Sequence, residues 1–589
     1  MRNIPFDQLP RNLVSTYSHY SWDAVVPLGG FAYDSAREWA TAAEWIADRM
    51  SAALNTLRSS DPSLVEQERD FLSKGLVCWR DKGLGTLTVP DPSTLIRRNS
   101  AQADALRPAF LRLGVEYGSM IRSAPLDLLR DLAESAPVPV NKGKGAPYWL
   151  PGSDRVAAIA LAALLDAPDA LTYDQIERRL LEVGQARLPM SVTSYLRIQG
   201  ASKEQPEFAV SGGELRIVGT RRGPKTRRVQ ALMFSANYLV SQVAPILRWC
   251  LTTRTDSNTG TLEPAAIAAR EYKYTVAADL SGYDESVASE TLSQYRELVL
   301  WPVYQALVAR GVLDNRQAKI LLAIDESVQT MPLLAPSLNP NFAAVLLDRE
   351  GGIVSGERLT SQKGTDINRE RIARKAKMAG LRGSFFNSGD DTILCSNSRK
   401  ELDRYAELDD GAGFKETLAP DPAYLMRRLP FKYAYLGRML FNTLNREPSY
   451  EATSYTSAAA GVAIRDALLA GHPLRHLYKT ILATLPESPR LKRAVFLSDS
   501  APVHELLLAS SPSASRTPAG ATHVQELSEL ALATGLQTDA EHRAILDRLL
   551  GLGQRSTMRF DEIRSEAASL GIAAASKYIR NAAYTKPRP

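Results

Sequence analysis

The sequence predicts an α+β protein, on three observations. Between Tyr272 and Leu440 short β-prone runs alternate with long helical ones. Both ends of the chain read as largely helical. Two of the β-prone runs meet at an acidic tip, Gly389-Asp390-Asp391, which predicts a hairpin. At 589 residues the chain exceeds one ordinary core, so several subdomains sharing one body are expected.

The elements follow in chain order. About the first 90 residues read as mostly helical, Ala36–Arg58 having apolar positions at helical spacing. A segment rich in Gly, Pro and Lys, Pro137–Asp154, contains Lys142-Gly143-Lys144-Gly145, and helical patterns cover Arg155–Leu165 and Tyr173–Val183. The densest basic patch is Gly219–Arg228. A short apolar strand delivers Asp279, Gly282 supplies a tight turn to Asp284, and a helical pattern runs over Ser286–Ala309. The glycine-rich Gly351–Gly356 leads through Thr360 into a helix ending near Ala379, with Gly380 as its stop signal. Beyond Leu440 the pattern is helical to Arg580, broken by a Ser/Pro/Ala-rich loop at Ser510–Gly520. No internal repeat is present.

Composition narrows the class. A hydrophobic fraction of 44% with 23% charged residues describes a globular protein, and the net charge of +6 suits a polyanion partner where the charge gathers. Three scattered cysteines, Cys78, Cys250 and Cys395, offer neither a disulfide framework nor a zinc site, and a reducing, intracellular setting is expected. The start of the chain lacks the apolar core of a signal peptide, and the longest apolar run, Val156–Leu165, is about half a membrane span, so no membrane association is expected. No histidine lies between His19 and His472. A centre in the middle of the chain must therefore use carboxylates, which favour hard ions such as Mg²⁺ or Mn²⁺.

Taken singly, Asp279 is a turn residue, Asp284 a helix N-cap, Ser355-Gly356 a flexible loop and Gly389-Asp390-Asp391 an acidic tip. Together they suggest more. Two adjacent aspartates at a rigid tip repel unless a cation sits beside them. With Asp279 from a neighbouring strand end, three carboxylates can converge on a pair of metals, as in-line phosphoryl transfer requires.

In that order, Asp279-x4-Asp284, Ser355-Gly356-x3-Thr360 and Gly389-Asp390-Asp391 resemble palm motifs A, B and C of viral RNA-dependent RNA polymerases. The resemblance implies that Asp279 and Asp390 hold both metals with Asp391 assisting, and that Asp284 senses the ribose 2′-hydroxyl, helped by Ser355, Gly356 and Thr360. Many such enzymes place an asparagine nine residues after the serine. Here that position is Gly364, and Asn368 stands thirteen after it, as in several double-stranded RNA virus polymerases. Lys225-Thr226-Arg227-Arg228-Val229 is similar to motif F, whose forked cations grip the incoming triphosphate, although a solvated loop also fits. Arg221, Arg222, Lys142 and Lys144 would line substrate channels. Lys415 is the candidate for the lysine that protonates pyrophosphate, with Lys432 competing, and Tyr435-Leu436-Gly437-Arg438 resembles motif E.

Within the family, Pro420–Pro448 and Lys142–Tyr148 are similar to polymerases of double-stranded RNA bacteriophages (cystoviruses). Picobirnaviruses and partitiviruses share the Asn368 spacing and the Ser-Gly-Asp-Asp run. The resemblance implies a right hand closed by fingertips: residues 1–90 bridging fingers and thumb, fingers at 91–274 with a return at about 310–350, a palm of small antiparallel sheet over the rest of 275–443, and a thumb at 444–589. Template RNA and ribonucleoside triphosphates are the implied partners, with viral capsid proteins besides. The implied setting is the virion interior or host cytoplasm. Tyr450, Tyr455 and Tyr584 are candidate platforms for starting without a primer. A reverse transcriptase and a non-catalytic RNA-binding or capsid protein are the rival readings. Asp284 speaks against the first, because its carboxylate suits a ribose, and the three ordered aspartates speak against the second.

Overall fold

The computed structural model describes residues 2–4, 95–139, 154–166, 211–220, 223–232, 234–254, 271–336, 344–419 and 557–571, with a few single positions besides. Outside the described residues lie the expected helix at Tyr173–Val183, the Lys142–Tyr148 run, Arg221, Arg222, Pro420–Pro448 with Lys432 and Tyr435–Arg438, the Ser510–Gly520 loop, and Tyr450, Tyr455 and Tyr584. So do most of Ala36–Arg58 and most of the helical stretch expected beyond Leu440.

The described chain is α+β. Strand β1 (Arg2–Ile4) precedes helices α1 (Ser100–Ser123) and α2 (Leu126–Glu134), then β2 (Pro137–Pro139) and α3 (Asp154–Leu165). Asn99 caps α1 by accepting from the Gln102 N–H at 3.1 Å. A two-stranded ribbon, β3 (Ser211–Thr220) and β4 (Gly223–Ala231), leads to α4 (Phe234–Ser241) and α5 (Ala244–Thr253). Strand β5 (Tyr274–Leu280) is followed by the single turn α6 (Tyr283–Ser286). The helical pattern expected from Ser286 is interrupted at Val287-Ala288. It resumes as α7 (Ser289–Tyr295), a π segment (Arg296–Leu300) and α8 (Trp301–Ala309). Helix α9 (Asn315–Thr330) and strands β6 (Leu333–Pro336) and β7 (Ala344–Leu347) precede α10 (Thr360–Ala379). The hairpin β8 (Gly383–Ser388) and β9 (Asp391–Ser396), helix α11 (Arg399–Glu407), β10 (Glu416–Ala419) and β11 (Thr557–Arg559) complete the set, with residues 560–571 helical.

The main core is helical. Along α1 the buried Leu106, Phe110, Leu113, Tyr117 and Ile121 recur every three or four residues, and the helix packs on the α7–α8 rod, with α10 and α5 beside it. Each large apolar side chain so buried contributes about 1.5–3 kcal/mol. Residues remote in sequence join this core: β11 pairs with β2, Phe560 stacks on Tyr238 at 4.9 Å, and Ile563 and Ala567 are fully buried.

Two sheets flank the core. The first has the order β10-β5-β9-β8 and is antiparallel throughout. The second, β1-β7-β6-β3-β4, contains one parallel pair, β3 with β6. Its edge strand β1 falls in the stretch whose pattern reads as helical. Three residues are too few for periodicity to register, and pairing with the remote β7 decides their conformation.

Candidate active site

The first sheet positions the acidic residues by register alone. Strand β5 pairs with β9 through Ala278↔Thr392, so the next step sets Asp279 opposite Asp391. Directly opposed residues of antiparallel strands stand about 5 Å apart at Cβ. Val276, Ala278 and Leu394 pack under α10 and α11, so the alternating positions Asp279 and Asp391 belong to the opposite, open face. Asp279 is exposed there, and Asp390 and Asp391 are half-buried. The hairpin closes with Ser388↔Asp391, leaving Gly389-Asp390 as a two-residue turn. Gly389 has φ +64°, which such turns require at their first position.

Helix α10 lies beneath this tip and holds it. It begins at Thr360 and stops at Gly380, φ +67°, as the sequence predicts. Thr365 accepts the Gly389 N–H at 2.9 Å. The Asn368 amide donates to the Gly389 carbonyl at 2.8 Å and to the Thr392 hydroxyl at 3.1 Å. Tyr283, from the turn after β5, donates to the Gly364 carbonyl at 2.7 Å. Burial pushes the Tyr283 phenol well above its ordinary range, and the charges of Asp284 and Asp390 act in the same direction.

The glycine-rich loop is locked against the same turn. Ile353 N–H donates to the Asp284 carbonyl at 2.7 Å, and Gly352 N–H to Val287 at 2.8 Å. Gly351 has φ +80°, and a Cβ there would stand 2.8 Å from the Ser289 nitrogen and 2.9 Å from the Arg97 oxygen, so only glycine fits. Asp284 and Ser355, two residues beyond Ile353, are both exposed. The Thr360 hydroxyl is shared between the Val354 and Glu357 carbonyls, the latter at 2.7 Å. Asn237 of α4 grips this loop at two points, donating to the Gly356 carbonyl and accepting the Arg358 N–H, each at 2.9 Å. Behind it, buried Lys363 pairs with Asp325 and with Glu357 at 2.5 Å.

Lys415 directly precedes strand β10. Thr417 opposes Asp279, and the Ser281 N–H donates to the Lys415 carbonyl at 3.0 Å. Leu418 packs toward the helices and Glu416 bonds to α10, so Lys415 and Thr417 share the open face with Asp279. Arg371 meets Glu416 through two parallel bonds of 3.0 Å and Asp410 at 2.8 Å, and Lys375 meets Glu416 at 2.7 Å. Burial would raise the Glu416 carboxyl, but Arg371 and Lys375 outweigh it and hold it below the ordinary glutamate range.

The structure thus brings Asp279, Asp390, Asp391 and Lys415 to one end of one sheet, and sets Asp284 and Ser355-Gly356 beside it. Lys225, Arg227 and Arg228 lie on β4 in the other sheet, Arg227 opposite Arg216 of β3. Among the described residues no three acidic, histidine or cysteine side chains are already grouped as a metal cluster. The donor set nonetheless fits a hard cation: three carboxylates at adjoining register positions, each at least partly open.

Sequence reasoning missed Tyr283, Thr365 and Asn237, whose roles depend on partners 24 to 121 residues away. It also missed the buried charges of α10. The one available signal was a helix of mean polar character with Ile367 and Ile372 alone as large apolar residues in its interior.

Solved structures to which the chain is similar include viral RNA-dependent RNA polymerases, the class that the sequence resembles. The bacteriophage phi12 polymerase matches with a TM-score of 0.45 and 13% identity over 71% of this chain and 72% of its own. The polymerase of a human picobirnavirus matches with a TM-score of 0.37 and 12% identity over 74% of this chain and 89% of its own. The BmCPV polymerase in its in situ elongation state gives 0.39 and 13%, over 69% of this chain and 35% of that one. At such identities and TM-scores no residue role carries across from them. No protein-family model matches the sequence, and neither does any curated protein.

Proposed function

We propose that the chain is an RNA-directed RNA polymerase that joins ribonucleoside triphosphates on an RNA template. The observation that carries this reading is the register of the four-stranded sheet, which sets Asp279 opposite Asp391, with Asp390 at the adjoining turn and Lys415 on the same face. Asp279, Asp390 and Asp391 would hold Mg²⁺ or Mn²⁺. Two such ions, when bound, lower the pKa of the attacking 3′-hydroxyl and stabilise the pyrophosphate leaving group.

The chain's own residues supply the rest. Asp284, exposed beside Ser355-Gly356, accepts from the ribose 2′-hydroxyl, a bond that a deoxynucleotide cannot make. Lys415 gives a proton to the departing pyrophosphate. Lys225, Arg227 and Arg228 grip the triphosphate with charge-assisted bonds. In this reading the four-stranded sheet is the palm and the five-stranded sheet belongs to the fingers, with residues 310–350 as a return to them. Residues 1–90 bridge fingers and thumb, and the thumb lies within 444–589. Synthesis starts without a primer, inside the virion or in the host cytoplasm, with capsid proteins as partners. No helix among the described residues is long and apolar enough to cross a membrane.

The test is nucleotide incorporation on single-stranded RNA with Mg²⁺ or Mn²⁺, first without and then with a primer, beside Asp390→Asn. Product from NTPs, reduced about a thousandfold or more in the variant while RNA affinity is kept, is the expected result. No product from the intact chain on either template removes the polymerase reading in favour of an RNA-binding one.

A further inference from the structure

Asn368 occupies a helical position that invites comparison with a sugar-reading asparagine, but its surroundings give it another task. Resting on the polymerase reading above, we propose that Asn368 is a positioning residue: it braces the Gly389-Asp390 turn that presents Asp390 and Asp391, and takes no part in reading the sugar.

Three observations converge. Asn368 has no exposed surface, so its side chain reaches nothing that binds at the open face. Its amide hydrogens are committed to the Gly389 carbonyl at 2.8 Å and the Thr392 hydroxyl at 3.1 Å, with the Asp390 carbonyl at 3.4 Å. Those contacts fall on the turn itself and on Thr392, the first residue after Asp391. One helical turn earlier on the same face, Thr365 takes the Gly389 N–H at 2.9 Å and fixes itself by donating to the Ser361 carbonyl at 2.6 Å. Gly364, at the position where an asparagine is otherwise expected, lies against the turn, a Cβ there standing 3.8 Å from the Gly389 Cα.

The physical need is plain. Two adjacent carboxylates at a two-residue turn repel one another, and that repulsion opens a turn held by its own strand ladder alone. Donors carried on a packed helix oppose the opening, and functional groups on such elements are held more closely than groups on free loops. A displacement of about 1 Å at a reacting centre lowers rate by about 100-fold. With Thr360 also committed to loop carbonyls, Asp284 and Ser355 remain as the exposed groups for the ribose.

The test compares the full-length chain with Asn368→Asp, which keeps the shape but replaces the donor with an acceptor, and with Thr365→Val, which removes the acceptor for Gly389 at nearly constant volume. The expected signature is a kcat lowered by about 10- to 100-fold, a Mg²⁺ midpoint raised several-fold, and an NTP/dNTP preference unchanged. Hydrogen exchange supplies a readout independent of turnover: the peptide over residues 385–395 should exchange faster in both variants, with the peptide over β5 unaffected. A collapse of the NTP/dNTP preference in Asn368→Asp overturns the proposal, as does unchanged exchange at the tip. Should the variants not fold, the wild-type chain decides, because a tip exchanging as fast as a free loop is not braced. Wild-type incorporation is the separate control: its absence removes the polymerase reading, and the exchange result still stands or falls by itself.

Discussion

The two sheets are built on different plans. The four-stranded sheet comes from one stretch, residues 274–419, and its neighbours are joined over four to six register pairs. Helix α10 seals its inner face with buried polar groups: Asn368 and Thr365 under the tip, Arg371 and Lys375 under β10. The five-stranded sheet is assembled from residues 2–4, 211–231 and 333–347, and its long basic ribbon joins the rest through two register pairs, Ser211↔Leu333 and Gly212↔Leu334. The aspartates proposed to meet a reacting atom closely sit on the first plan. The basic residues proposed for gripping a triphosphate, where forked cations tolerate movement, sit on the second.

The difference can be broken at its most buried point. Arg371 is 1% exposed and pairs with both Glu416 and Asp410, so Arg371→Ala removes the cation from buried Asp410 and leaves Glu416 to Lys375. A loss of about 3–5 kcal/mol is expected in thermal or denaturant unfolding. The exposed pair Arg399–Asp403 on α11 is the contrast, and Arg399→Ala should change stability by about 0.5 kcal/mol or less. Equal effects would remove the claim that α10 is the sheet's anchor.

Asp284→Ala should reduce the NTP/dNTP preference by about 10- to 100-fold while leaving template affinity alone. An unchanged preference would move sugar selection elsewhere. On the second sheet, Arg227→Ala should raise the KM for NTP by about tenfold with kcat nearly kept, the pattern of a group that binds ground and transition states alike. A fall in kcat at constant KM would place Arg227 among the reacting groups and erase the division between the sheets.

A smaller effect is expected with pH. The folded-state Glu416 carboxyl lies below its ordinary value, to which it returns on unfolding. Its contribution to stability is therefore complete above the ordinary glutamate pKa of about 4.3 and is lost as pH falls through the lowered folded value. Melting temperatures measured against pH should drop more gently below about pH 5 in Glu416→Gln than in the wild type.

How much of this was legible in the sequence follows from the same contrast. The strand ending at Asp279, the hairpin at Gly389-Asp390-Asp391 and both ends of α10 were readable, because each is set by neighbours within a few residues. The pairing of β1 with β7, or of β3 with β6, joins residues over 100 apart and leaves no local trace. Helix α10 is the sharper lesson. Lys363, Asp366, Arg371 and Lys375 are charged yet all are buried, because acids and tyrosines from α1, α7, α9 and the β10 region meet them. Asn368 could be counted from Ser355, but its burial and its bond to the Gly389 carbonyl depend on a residue 21 positions away and leave no local trace.

The central claim is that aspartates on separate strands form one site. Its most direct measurement is single-nucleotide incorporation on a primed RNA with saturating Mg²⁺, comparing Asp279→Asn with Asp390→Asn and following RNA affinity in parallel. Both variants should lose incorporation by about a thousandfold or more and keep RNA binding, since the two carboxylates serve the same ions. Near-normal turnover in Asp279→Asn would contradict the account, leaving the Gly389-Asp390-Asp391 tip without its partner strand.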